Sequence, residues 1–140
     1  MKKEYKLPNM DFKVHIQMVG AESGINWVGD FVYRRPNLQE RGMIDVMRTR
    51  LNGDLLTLDP DVSAFHEALA HLRFTIKEYP EWWSDCGFGA SLYDANIIVE
   101  LYNKCMEFEA NWKKKVHGEN PKVVEAGNEN KEPSVASTGL

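Results

Sequence analysis

The chain has 140 residues, 43% of them hydrophobic and 27% charged, with a formal net charge of −4. That length suits one globular domain with room for a tail, and the composition excludes collagen-like, low-complexity and cysteine-stapled classes. The mildly acidic balance argues against general nucleic-acid binding, which relies on Lys and Arg releasing counterions from phosphate.

The two cysteines, Cys86 and Cys105, make neither a disulfide framework nor a metal motif. Both read as reduced thiols, Cys105 as a small core residue on an apolar helix face and Cys86 as a turn residue. The start of the chain, Met1 to Pro8, carries charge with no apolar run behind it, so no secretory signal is expected. The longest uncharged apolar run falls far short of the ~20 residues that span a bilayer. The expectation is a soluble protein working in a reducing cytoplasm, away from membranes.

Phe12 to Met18 alternates apolar with polar residues, the period of a half-buried strand. Gly20, Ser23, Gly24 and Asn26 supply turn chemistry, and Trp27 to Tyr33 is a second strand with Trp27, Phe31 and Tyr33 on one face. A lone hairpin is marginal in water, so it must pack on something or pair with another strand. Pro36 ends the strand. Asn37 with Glu40 reads as a capping box, opening a helix that carries Met43, Ile44, Met47 and Leu51 and stops at Asn52-Gly53. Asp59-Pro60-Asp61 opens the next helix, with Val62, Phe65, Leu69, Leu72 and Ile76 as its stripe and an expected end near Glu78, before Pro80. Ser91 with Asp94 offers another capping box for a third helix. That helix bears Ile98, Leu101, Cys105, Phe108 and Trp112, and Lys113 to Lys115 lie at its negative end.

Residues 118–140 lack aromatic residues and are rich in Gly, Asn, Glu, Lys, Pro, Ser and Thr, a composition that buries too little surface to offset ordering entropy. The expected organisation is a short arm over 1–10, a single α+β domain over 11–117 (a β-hairpin followed by a three-helix core) and a disordered polar tail over 118–140.

Chemistry is sparse. His66 and His71 are five apart, about 140° around a helix, whereas a helical metal pair needs i, i+4. The many acids read as caps or surface positions. No Gly-x-Ser-x-Gly, P-loop or dinucleotide fingerprint occurs. No catalytic residue, metal or cofactor is therefore expected; Cys86 acting with His66 or His71 stays as the enzymatic alternative. Arg34, Arg35, Arg41, Arg48 and Arg50 form a local basic cluster, read as a solvated face with balancing acids. The aromatic residues say more. Trp27, Phe31, Tyr33, Tyr79, Trp82 and Trp83 either seal the hairpin to the helices or form a partner-binding face, Trp and Tyr being the usual interface anchors.

The string from Trp27 to Asn37, the helix ending Arg50-Leu51-Asn52-Gly53, Ala70-His71-Leu72, the Tyr79-Pro80-Glu81-Trp82-Trp83 corner and the run from Asp94 to Trp112 together resemble small proteins encoded among the tail genes of tailed bacteriophages, the tail assembly chaperones and minor virion components. The resemblance covers roughly residues 12 to 112 and brings no catalytic residues with it. It implies a non-enzymatic phage tail assembly protein that chaperones the tape-measure protein, recruits tail-tube subunits, or does both. The implied place is the host cytoplasm during assembly, and homo-oligomers would form through the open hairpin edge. A virion structural subunit of tail, neck or capsid, and an inhibitor of a host defence protein, are the alternatives.

Overall fold

The computed structural model describes residues 10–53 and 58–118. The chain divides into two compact units, Met1–Cys105 and Met106–Leu140. The arm expected over 1–10 and the tail expected over 118–140 lie almost wholly outside the described residues.

The first unit is α+β. Strands β1 (Asp11–Val19) and β2 (Asn26–Arg34) pair antiparallel in a continuous register from Asp11–Arg34 to Val19–Asn26. Alternation puts Val14 and Ile16 of β1 beside Phe31 and Tyr33 of β2 on the buried face. The opposite face is polar: His15 bonds Asp30 at 2.7 Å, which raises the His15 pKa, and Arg34 bonds Asp11 at 2.6 Å.

Two helices follow. In α1 (Leu38–Asn52) the expected capping box is formed in both directions, Asn37 Oδ1 accepting from the Glu40 N–H and Glu40 Oε1 from the Asn37 N–H. Gly53 closes the helix at φ 70°, a conformation that favours glycine. Asp59 caps α2 (Pro60–Thr75), with Pro60 in its first turn.

Here the structure departs from the periodicity. The helix expected to reach Glu78 ends at Thr75, and Ile76–Glu78 is a third strand, β3, antiparallel to β2. The sheet order is β1-β2-β3. The β-branched pair Thr75-Ile76 favours this exit, and pairing with β2 supplies backbone partners that one more helical turn ahead of Pro80 would forgo. The hairpin thus finds its partner strand inside the chain, while β1 keeps an outer edge unpaired among the described residues.

The Pro80-Glu81-Trp82-Trp83 corner forms a short extra helix, α3 (Glu81–Asp85), giving four helices among the described residues where three were expected. Gly29 leaves room for it: a Cβ there would come 2.5 Å from Pro80 Cγ. A loop with three consecutive left-handed residues, Gly87, Phe88 and Gly89, leads to α4 (Ala95–Gly118). Trp83, Leu72, Ile97, Leu101 and Cys105 complete the core, Cys105 in the place its helix face implies. The described part of the second unit is the end of α4, where Phe108 and Trp112 lie 6.3 Å apart.

Candidate functional site

The aromatic residues separate into groups. Trp27, Phe31, Trp82 and Trp83 are brought together: ring centroids are 4.7 Å apart for Trp27–Trp82, 5.3 Å for Phe31–Trp83 and 5.8 Å for Phe31–Trp82. The Trp82 indole N–H donates to the Val28 carbonyl at 2.9 Å, tying α3 to β2. Tyr33 lies elsewhere, stacked on His71 and hydrogen-bonded to its Nε2 at 2.9 Å. Tyr79 meets Phe88, whose other contact is the Arg73 guanidinium 3.9 Å from the ring centroid. Phe31, Tyr33 and Trp83 are fully buried, so their rings serve the core. Trp27 and Trp82 are half-buried and Tyr79 is exposed, and of the six only these three present ring surface to a partner.

A buried carboxylate organises the turn between β1 and β2. Asp94, 1% exposed, accepts hydrogen bonds from the Glu22 N–H at 2.7 Å, the Ser23 N–H at 2.8 Å, the Ser23 hydroxyl at 2.6 Å and the Trp27 indole N–H at 2.8 Å. Asn96 adds two bonds, accepting from the Ala21 N–H and donating to the Val19 carbonyl, both at 3.0 Å. The capping role expected of Asp94 with Ser91 is therefore replaced by a long-range clamp. The Ser23 hydroxyl bond and the other donors outweigh desolvation and hold its pKa at about 2. Such a group is a permanently ionised acceptor at neutral pH, unsuited to general acid–base work.

The two histidines of α2 are held by neighbouring side chains. His66 bonds Asn52 at 2.8 Å, and His71 sits between Tyr33 and the edge of Tyr102. Among the described residues no group of three or more His, Cys, Asp and Glu could hold a metal ion.

One apolar groove was not among the candidate residues. A groove of ≈ 700 Å³ runs between α1 and the end of α2, lined by Met43, Val46, Met47, Leu51 and Phe74, with Arg50 at its edge. Of Met43, Ile44, Met47 and Leu51, which recur at helical spacing along α1, only Ile44 is buried. A smaller pocket of ≈ 260 Å³ lies between α2 and the loop ahead of α4, against Phe65, Leu69, Leu92 and Ile98. Comparison with protein-family models, curated proteins and solved structures finds no match to this chain. No helix among the described residues is long and apolar enough to cross a membrane.

Proposed function

We propose that this chain is a non-enzymatic assembly protein of a tailed bacteriophage, which holds an amphipathic helix of the tape-measure protein, recruits tail-tube subunits, or does both. The observation that carries the reading is the α1–α2 groove. Its lining is flexible and apolar, with two methionines that adapt to different side chains. Its length along α1 suits the i, i+3, i+4, i+7 anchors of a docked helix. The half-buried Trp27–Trp82 pair offers a second, aromatic contact area on the same unit.

The virion-subunit alternative draws on a different observation, the nine-residue β1 strand at the edge of the sheet. An unpaired edge of that length is a template for a neighbour's strand.

Mass spectrometry of purified particles beside infected-cell lysate separates the two. Abundance in lysate with absence from particles is the result expected of an assembly factor. A fixed, symmetric copy number in particles contradicts it and makes the chain a structural subunit. Complexes in lysate with a single host protein instead would favour the inhibitor reading.

A further inference from the structure

Asn52-Gly53 is the chain's one Asn-Gly pair. This dipeptide carries its own chemistry. The Gly53 amide nitrogen, on losing its proton, can attack the Asn52 side-chain carbonyl carbon, closing a five-membered succinimide and expelling ammonia. Water then opens the ring at either carbonyl and leaves aspartate or isoaspartate. Glycine is the favoured follower because it has no Cβ to crowd the attack, and asparagine counts among the thermolabile residues. The fold restrains both reacting groups. Asn52 is the last residue of α1, and a helical backbone there does not allow the planar ring to close. The Gly53 N–H donates to the Thr49 and Arg50 carbonyls, at 3.0 and 3.1 Å, so its nitrogen is engaged. From α2, the His66 Nδ1–H donates to Asn52 Oδ1 at 2.8 Å, the oxygen being able only to accept. Asn52 and His66 are half-buried whereas Gly53 is exposed, so water reaches the place where the ring would form. A Cβ at Gly53 would meet no atom within 4 Å, which leaves this turn room to rearrange.

We propose that Asn52 is a site of spontaneous deamidation whose rate is set by local opening of the last turn of α1, with His66 as the latch. Helix ends fray, and such local openings cost less than global unfolding. One opening frees the Gly53 N–H and lets Asn52 leave the helical region. The His66 hydrogen bond must break in the same event, so it slows the reaction. The product alters the contact it leaves behind. Aspartate at position 52 places a carboxylate at the negative end of α1, where anions are disfavoured. It also sets that charge against His66, which favours the protonated ring. Isoaspartate adds a carbon to the main chain and shifts the Gly53 N–H out of its capping geometry. In both cases the link between α1 and α2 changes with the age of the chain, one residue from Leu51 of the groove. This holds whatever occupies the groove.

Incubation of the full chain at neutral pH tests this, read by mass spectrometry of the tryptic peptide that begins at Leu51 and by enzymatic methylation of isoaspartate. Deamidation is expected at Asn52 in the folded chain, several-fold slower than in the same chain held in urea, and Asn52→Ser should remove it. His66→Ala should raise the folded-state rate several-fold. His66→Gln, which keeps an N–H donor, should stay closer to the wild-type rate. Trp82→Ala loses contacts with Trp27, Val28 and Phe31 instead and should leave the rate unchanged. A folded chain that never deamidates at Asn52, or does so as fast as in urea, overturns the proposal. A rate that His66→Ala leaves unchanged overturns the latch; a rate that it lowers does so too and makes His66 an acid that polarises the carbonyl. Equal acceleration by Trp82→Ala and His66→Ala would place the opening in global unfolding and overturn the local gate.

Discussion

Asp94 ties together two distant parts of the chain. Its donors lie 67 to 72 residues upstream, so one carboxylate joins the β1–β2 turn to the start of α4. Because its folded pKa of about 2 lies below the 3.8 of an ordinary aspartate, the unfolded chain takes up the proton first as pH falls. The stabilisation is complete above pH 3.8 and is lost as pH falls toward 2. Asp94→Asn should lower the thermal midpoint at neutral pH and flatten the acid limb of a stability-versus-pH curve over that window; an unchanged limb would remove Asp94 from this role. Gly20 makes the approach possible, since a Cβ there would overlap the Asp94 carboxylate. Gly20→Ala should cost about 1–3 kcal/mol by urea denaturation, the range for forced overpacking. None of this was legible in the sequence. A carboxylate just ahead of a helix reads as a local cap, and its true donors, two loop amides, a hydroxyl and an indole, carry no signal linking them to position 94.

At the scale of elements, the two adjacent tryptophans divide the work. Trp83 fills the core and Trp82 lies on the Trp27 ring with its indole N–H bonded to β2. Trp83→Ala should cost about 3–5 kcal/mol, a large part of a typical stability of roughly 5–15 kcal/mol. Trp82→Ala, at a half-buried ring, loses one hydrogen bond and the ring contacts with Trp27, Phe31 and Trp83, and should cost less than Trp83→Ala and stay folded. Equal losses in urea midpoints would contradict this division. In α1, Gly42→Ala should raise stability by about 1 kcal/mol, because propensity improves and no atom is displaced. The helix starts and stops were readable because their signals are local: Asn37 with Glu40, Asp59 with Pro60, Gly53 past the end of α1. Strand β3 was not, because Ile76 also continues the helical stripe of α2, and the strand that decides its state lies more than forty residues earlier. Spacing likewise gives α1 an apolar content without saying which side meets the rest of the chain, so the exposure of Met43 and the groove went unseen.

For the molecule as a whole, the function proposed above needs a small α+β unit, held by its own aromatic core, whose α1 groove receives another helix. Among the described residues the strongly perturbed carboxylate, Asp94, is saturated by donors, and the two histidines of α2 are hydrogen-bonded to Tyr33 and Asn52. The most direct test is a titration of isotope-labelled chain with a helical tape-measure fragment, followed by backbone amide shifts. Saturable shifts along Gln39 to Leu51 and at Phe74, abolished by Val46→Glu with the fold intact, are the expected result. Shifts confined to the Trp27–Trp82 surface or to β1, or none at all, would contradict it.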